Sequence, residues 1–172
     1  MQARINYNPR PASAYHDLLV SAVLLTFLYE RGFQLSRPMR WKKTSFDENS
    51  PLPDGVIESP CGEIWAIEIE RNVSYHHLEG HIIYHGRNSK VIVIFEKLTR
   101  PVHDMTLYLM RKYDLKDWFF SSCKCFFSDG GGGPYFDLNG RAHTISNRGE
   151  MGWKSALETK NVSAVTQDMD FI

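Results

Sequence analysis

A chain of 172 residues with 42% hydrophobic and 23% charged residues has the composition of one globular domain with a buried core. Its 20 basic and 20 acidic residues balance, which excludes a general attraction to nucleic acid or anionic membranes, so DNA binding requires a local basic patch. No apolar stretch is long enough to span a bilayer, and the three cysteines, Cys61, Cys123 and Cys125, are scattered. These features predict a reduced, cytoplasmic chain that does not associate with membranes.

The first elements in chain order are an arm, a helix and an extended segment. Residues 1–13 are polar with two prolines, which predicts a flexible arm. Apolar residues recur at helical spacing from Tyr15, and Gly32 is suited to end that helix. These apolar residues spread so widely around the helix that we expect it to be buried on most sides. "FQLSRPMRWKK" then predicts a strand or extended segment, followed by a turn-rich loop.

Two strands, a helix and a third strand come next. "GVIES" and "EIWAIEIE" predict a hairpin through "PCG", and "SYHHLEGHIIYHGR" predicts a helix with Ser74 as its N-cap. "KVIVIFE" is a continuous β-branched run, typical of a strand buried on both faces of a sheet. A helix between two such strands predicts a βαβ unit, and the fold class is therefore α/β.

The rest of the chain predicts a second helix, a strand and a hairpin. "PVHDMTLYLMRKY" predicts the helix, "DWFFSSCKCFF" a strand, and "SDGGGGPYF" a flexible loop. "YFDLNGRAHTI" predicts an edge hairpin around Asn139 and Gly140. Residues 147–172 show no period, which predicts a mobile tail after a domain that covers residues 14–146.

Three acids form the candidate site. Glu68 and Glu70 point to the same side of their strand, and the hairpin brings Asp54 near them. Three carboxylates this close cannot all stay ionised without a cation. Such oxygen ligands suit Mg²⁺ or Mn²⁺, which polarise a phosphoryl oxygen and lower the pKa of bound water. The alternative is that Glu63, Glu68 and Glu70 are the solvated face of an ordinary amphipathic strand.

This arrangement resembles the PD-(D/E)XK nuclease superfamily. "LPDGVI", then "AIEIERN", then a helix and a buried apolar strand match its α-β-β-β-α-β core. The resemblance covers roughly residues 15–96. It implies a restriction-endonuclease-like mixed sheet flanked by helices, with Asp54 and Glu68 as the metal ligands. Glu70 falls on the usual lysine position, where a minority of restriction enzymes in the superfamily also carry glutamate.

Within the superfamily the chain is most similar to plasmid replication–relaxation proteins and MobC-type relaxases. The similar segments are "YHDLLV", "LPDGVI", "AIEIERN" and "HLEGHIIYH", in which His81 takes the place of a helical lysine and Tyr84 follows three residues later. The resemblance implies a divalent-metal-dependent DNA endonuclease or nickase of a mobile element. Its catalytic residues would be Asp54, Glu68, Glu70, His81 and Tyr84. The alternative is a catalytically inactive nuclease-fold module that binds DNA or protein, or an accessory subunit of a DNA-processing complex.

Basic and aromatic residues provide the candidate partner surfaces. Arg40, Lys42 and Lys43 flank Trp41 and predict contacts with a nucleic-acid backbone, to which Arg71 adds a fourth cation. A solvated strand is the alternative for this basic segment. The aromatic residues between positions 118 and 127 point to a homodimer or another protein partner.

Histidines and cysteines provide weaker patterns. His77, His81 and either Tyr84 or His85 share one face of the predicted helix. A zinc protease is disfavoured, because its motif needs glutamate directly after the first histidine. We expect these histidines either to face the carboxylates as acid, base or phosphate contacts, or to lie on a half-exposed surface. The two cysteines at positions 123 and 125 lack the usual zinc spacing and are expected to be buried or half-buried.

Overall fold

The computed structural model describes residues 11–36, 53–71, 73–86, 90–146 and 151–153, and of residues 11–13 and 151–153 only the backbone. The helices in this part of the chain are α1 (Pro11–Arg31), α2 (Tyr75–His85), α3 (Arg100–Lys112) and α4 (Cys123–Ser128). The strands are β1 (Gln34–Leu35), β2 (Gly55–Glu58), β3 (Ile64–Glu70), β4 (Val91–Phe95), β5 (Trp118–Ser122), β6 (Tyr135–Phe136), β7 (Ala142–Ile145) and β8 (Met151–Trp153). None of the described helices combines the length and the apolar character needed to cross a bilayer.

The strands form one mixed sheet in which each strand pairs with its neighbours in the sequence, from β1 to β8. β3, β4 and β5 are parallel to one another, and the helices α2 and α3 make the two crossovers between them. The other neighbouring strands pair antiparallel. The predicted α/β class, the β2–β3 hairpin and the βαβ unit are confirmed.

Helices cover both faces of this sheet, and the alternation along β3 divides its side chains between them. Ile67 and Ile69 pack in one core with Val23 and Phe27 of α1. Ala66 packs in the other core with residues of α2 and α3. Glu68 and Glu70 have the same parity as Ala66, so they lie on the side covered by α2.

Helix α2 begins where the sequence predicted. The hydroxyl of Ser74 accepts a hydrogen bond from the backbone N–H of His77 at 3.3 Å, which satisfies one of the free N–H groups of the first turn. Leu78 and Ile82 are buried and fix the helix against the sheet. The capped start and these two anchors determine which face of α2 meets β3.

Several element boundaries differ from the prediction. The strand predicted for "DWFFSSCKCFF" is wrong in its second half, because the Ser122 hydroxyl accepts from the N–H of Cys125 at 3.1 Å and starts α4. The predicted hairpin forms between β6 and β7 but not at the sheet edge, since β8 pairs with β7. β8 lies within residues 147–172, and α1 begins inside the segment predicted to be an arm.

The burial expected for α1 is wrong on one side of the helix. Val23 and Phe27 are fully buried, as a core-facing stripe should be. Leu18 and Tyr29, however, are 66% and 80% exposed. The sheet covers only one side of α1, and its second apolar face is left at the surface.

Candidate metal centre of carboxylates and histidines

Two glutamates of β3 lie between three histidines of α2. His85 Nε2 is 2.5 Å from Glu68 Oε1, and His81 Nδ1 is 3.6 Å from the same oxygen. On its other side, His81 Nε2 is 3.1 Å from Glu70 Oε1, and His77 Nδ1 is 3.2 Å from Glu70 Oε2. Each carboxylate therefore contacts two imidazoles. We call these five residues, in the order His85, Glu68, His81, Glu70 and His77, the Glu–His row.

The row follows from a match between strand and helix spacing. Residues two apart on a strand are separated by about 6.6 Å, and residues four apart on a helix are separated by about 6.0 Å along its axis. Because α2 carries the chain back to the start of β4, it runs in the direction opposite to β3, and the later histidine meets the earlier glutamate. E-x-E on the strand and H-x-x-x-H-x-x-x-H on the helix therefore interleave.

The exposure of the three histidines increases along the row from His85 to His77. The side chain of His85 is fully buried, that of His81 is 18% exposed, and that of His77 is 55% exposed. Both glutamates are buried, at 4% for Glu68 and 3% for Glu70. The His77 end of the row is thus open to a ligand from solvent, whereas the His85 end is closed.

The charges in the row depend on one another. Burial favours a higher pKa for Glu68, but contacts from His81 and His85 outweigh it and hold that pKa below its usual value. Burial raises the pKa of Glu70 above its usual value, against the attraction of His81 and His77. The Glu68 contact raises the pKa of His81, with smaller contributions from Glu70 and Asp54. The row is therefore built to hold positive charge, either as protons or as a metal cation.

Asp54 lies beside the row, at the start of β2. Its Oδ2 accepts a hydrogen bond from the backbone N–H of Ile69 at 2.8 Å. Burial raises the pKa of Asp54, and the charge of Glu68 raises it further. The three acids that the sequence singled out thus lie close enough to influence one another.

His16 of α1 belongs to this region although the sequence analysis assigned it no role. His16 Nε2 is 3.4 Å from Asp54 Oδ2 and 3.3 Å from the carbonyl oxygen of Ile69. The segment "YHDLLV" contained the signal, since it places a histidine near the start of the predicted helix; in the structure α1 begins five residues before that histidine, at Pro11. Its proximity to Asp54 depends on how α1 packs on the sheet, which residue spacing does not define.

The remaining candidate residues are not brought together in this way. The ring of Tyr84 packs edge-on against that of His85, at 5.0 Å between centroids, and its hydroxyl oxygen is buried. Arg71 Nε donates to Glu96 Oε2 at 3.0 Å, and its guanidinium lies 4.5 Å from the centre of the Tyr15 ring. The basic residues predicted to grip nucleic acid lie outside the described residues; they are Arg40, Lys42 and Lys43.

None of the three cysteines belongs to the Glu–His row. Cys61 is exposed, Cys123 is half-buried and Cys125 is buried, and all three are free thiols. Burial raises the pKa of Cys123 to about 11, so its thiol stays protonated at neutral pH. The expectation of buried or half-buried cysteines is confirmed at positions 123 and 125.

Two overlapping sets of three side chains in the row could each hold a metal ion. One set is Glu68, His81 and His85, and the other is Glu70, His77 and His81; within each set the ligand atoms lie within 4.8 Å of one another. No protein-family model matches the chain, and no curated protein or solved structure matches it either. Function is therefore inferred from the residues and their geometry.

Proposed function

We propose that the protein is a divalent-metal-dependent phosphodiesterase that cuts or nicks DNA, with the Glu–His row as its metal centre. The observation that carries this proposal is the convergence of Glu68 and Glu70 with three histidines, next to Asp54 and open at one end. The Glu–His row lies in the βαβ unit formed by β3, α2 and β4. In such sheets, ligands characteristically bind outside the carboxyl ends of the parallel strands.

The order of elements supports the same proposal. The chain runs α1, β1, β2, β3, α2, β4, which is the α-β-β-β-α-β series that the resemblance to PD-(D/E)XK nucleases implies. Asp54 opens β2 and Glu68 lies on β3, as that resemblance requires. DNA as the substrate is supported by the similar segments "LPDGVI" and "AIEIERN".

The donor atoms fit a divalent ion, and the residues around them supply the rest of the chemistry. The resemblance implied Mg²⁺ or Mn²⁺, and of these two the imidazole nitrogens favour Mn²⁺, because Mg²⁺ prefers oxygen. When bound, such an ion polarises a phosphoryl oxygen and lowers the pKa of a bound water. Glu68 and Glu70 keep the centre anionic enough to retain the ion. Asp54, whose pKa is raised, is suited to accept a proton at the edge of the row, and His16 holds its carboxylate.

A binding module without catalysis is the second candidate function, and one observation favours it. Each carboxylate of the row already contacts two histidines, so the row is electrostatically satisfied without an ion. In that case the nuclease-like fold would bind DNA or a protein partner, and the lysine position would have lost its catalytic use.

Nicking of supercoiled plasmid separates the two functions. The parent protein, Asp54→Asn, Glu70→Gln and the control Glu63→Gln are compared with Mg²⁺ or Mn²⁺, after thermal melts show that each variant is folded. Glu63 is a suitable control because it lies immediately before β3, the strand of Glu70, with its side chain 42% exposed. We expect nicking by the parent and the control and strong loss in the other two. Equal nicking by all four proteins, or no nicking by the parent with either ion, overturns the proposal.

A further inference from the structure

We propose that Glu70, His77 and His81 form a two-histidine, one-carboxylate centre that binds a transition-metal ion in preference to Mg²⁺. Glu68 and His85 form the layer behind it and hold His81 in position. This inference deepens the proposed function and depends on it only for what the ion does. It replaces the ligand pair of Asp54 and Glu68 that the resemblance implied.

The set Glu70, His77 and His81 is more accessible to solvent than the set Glu68, His81 and His85. Glu70 Oε1 and Oε2 face His81 Nε2 at 3.1 Å and His77 Nδ1 at 3.2 Å, so one carboxylate lies between two ring nitrogens. The side chain of His77 is 55% exposed, whereas that of His85 in the other set is fully buried. A catalytic ion needs coordination positions open to water and substrate, and only the Glu70 end of the row provides them.

The ligand atoms determine which ions fit. Two imidazole nitrogens and one carboxylate oxygen suit Zn²⁺, Co²⁺, Fe²⁺ or Mn²⁺. Mg²⁺ is held mainly by oxygen ligands and waters in octahedral geometry, and two nitrogens are a poor substitute. The row therefore favours a transition-metal ion, whereas its acids alone suited Mg²⁺ as well as Mn²⁺.

Glu68 gives the centre its orientation. Its Oε1 lies 3.6 Å from His81 Nδ1, and the buried His85 fixes this carboxylate through the 2.5 Å contact to the same oxygen. A carboxylate behind one ring nitrogen of a ligating histidine sets the ring orientation and leaves the other nitrogen for the metal. His81 Nε2 is thereby directed toward Glu70. Loss of such a partner lowers metal affinity by about 10- to 100-fold.

Titration with CoCl₂ tests the centre without any activity assay, because bound Co²⁺ changes its visible absorption. The variants are His77→Ala, Glu68→Gln and the matched control His76→Ala, which removes the exposed neighbouring histidine outside the row. We expect Co²⁺ to bind the parent and His76→Ala alike and not to be displaced by millimolar Mg²⁺. Binding should be strongly weakened in His77→Ala, and weakened about 10- to 100-fold in Glu68→Gln. No Co²⁺ binding by the parent, parent-like binding by His77→Ala, or displacement of Co²⁺ by millimolar Mg²⁺ overturns the centre.

Failure of the metal centre formed by Glu70, His77 and His81 is distinguishable from failure of the proposed function. Co²⁺ binding that requires His77, in a protein that does not nick DNA with any of these ions, keeps the centre and discards the phosphodiesterase. Mg²⁺-dependent nicking that survives His77→Ala keeps the phosphodiesterase and overturns the centre.

A separate observation concerns the exposed apolar face of α1. Four apolar side chains on this face are exposed: Tyr15 by 45%, Leu18 by 66%, Leu25 by 50% and Tyr29 by 80%. Ala22 lies between Leu18 and Leu25. Their spacings of three, four, three and four residues follow the seam of an antiparallel or parallel coiled coil. This seam lies opposite the buried stripe of α1, so the sheet does not cover it.

We infer that a second copy of this chain covers the α1 seam. The residue types read the same from either end, as Tyr, Leu, Ala, Leu, Tyr, with Ala22 in the centre. Two-fold symmetry requires a self-complementary surface, and an antiparallel pair of α1 helices provides it. Leu18 then meets Leu25 of the partner subunit, Tyr15 meets Tyr29 of the partner subunit, and the small Ala22 lets the helices approach at the axis.

Molecular mass in solution and a cross-link test this pairing. Light scattering should show a dimer for the parent and a monomer for Leu25→Lys. Ile83→Lys is the control, since Ile83 is 70% exposed on α2 outside the seam, and it should stay dimeric. Ala22→Cys in a Cys61→Ser background should form a disulfide between subunits. A monomeric parent, a dimeric Leu25→Lys, or a dimer in which position 22 does not cross-link overturns the inference.

Discussion

Replacing Glu68 by glutamine measures how much the charge in the Glu–His row stabilises the fold without metal. Glutamine keeps the shape of the side chain and can still accept a hydrogen bond from His85, but it has no charge. A hydrogen bond to a charged group contributes about 1.5–3 kcal/mol and a neutral one about 0.5–1.5 kcal/mol. The 2.5 Å contact to His85 therefore loses about 1–1.5 kcal/mol, and the 3.6 Å contact to His81 loses less. We expect the free energy of unfolding to fall by about 1–2 kcal/mol.

This loss should depend on pH in a defined way. The pKa of Glu68 is below its usual value, so the stability it contributes is present above its unfolded pKa and is lost as the pH falls through the folded pKa. The pKa of His81 is raised, so its contribution is present below its unfolded pKa and is lost as the pH rises through the folded pKa. The parent and Glu68→Gln should therefore differ most between these two folded pKa values.

Urea unfolding in the presence of EDTA, repeated across this pH range, gives the required free energies. Glu63→Gln is the matched control, because Glu63 pairs with Lys90 at the surface and such pairs contribute about 0–1 kcal/mol. A Glu68→Gln variant that loses no more stability than Glu63→Gln would refute the reasoning. A loss that stays constant down to the acid limit would refute it as well.

Three further changes test the packing of α2 and of the loop that follows α4. A hydrogen bond from Lys112 is the largest of the contacts that lower the pKa of Glu79 from 4.5 to about 2. The stability that Glu79 contributes is therefore present above pH 4.5 and is lost as the pH falls toward 2. Glu79→Gln should reduce the fall of the melting temperature between these pH values, and an unchanged fall contradicts the assignment. A Cβ at Gly80 would meet no atom within 4 Å, so Gly80→Ala should raise the free energy of unfolding by about 0.5–1 kcal/mol, and a decrease speaks against the placement of α2. A Cβ at Gly132 would clash with the ends of the Arg31 and Asp129 side chains. Arg31 is buried and its Nε donates to the Gly130 carbonyl at 2.8 Å, so its guanidinium cannot move aside without losing that bond. Gly132→Ala should therefore lower the free energy of unfolding by about 1–3 kcal/mol, and a neutral result in chemical unfolding contradicts this reasoning.

The central part of the fold could be predicted because its local signals agree. The alternation in "EIWAIEIE", the cap at Ser74 and the β-branched run in "KVIVIFE" each favour the element that forms. After β5 the signals conflict, since "SSCKCFF" has strand-like residues but Ser122 also caps a helix. The burial predicted for the second face of α1 is wrong, because a wide apolar stripe predicts burial on several sides and the sheet covers only one of them.

The candidate site could be predicted only where one element determined it. Alternation placed Glu68 and Glu70 together, and the hairpin placed Asp54 beside them. The role of His77 and His85 in the row depends instead on the register between β3 and α2, which neither segment shows alone. The signal in the sequence is E-x-E followed by three histidines four residues apart; it predicted histidines facing the carboxylates, but not which histidine contacts which glutamate.

Glu70, which the proposed nuclease resemblance places at a lysine position, connects the acids and the histidines into one unit. If Glu70 had simply replaced a lysine, a second carboxylate would lie buried on β3 beside Glu68 and Asp54, with only their repulsion around it. Instead, Glu70 lies between His81 at 3.1 Å and His77 at 3.2 Å, and Glu68 lies between His81 and His85. A lysine ammonium can supply charge to such a site but cannot bind a metal while it is protonated, whereas an imidazole can do either. Under the proposed nuclease resemblance, a glutamate framed by histidines at the lysine position favours metal binding over loss of the site, because loss of the site does not require two imidazoles in contact with the same acid.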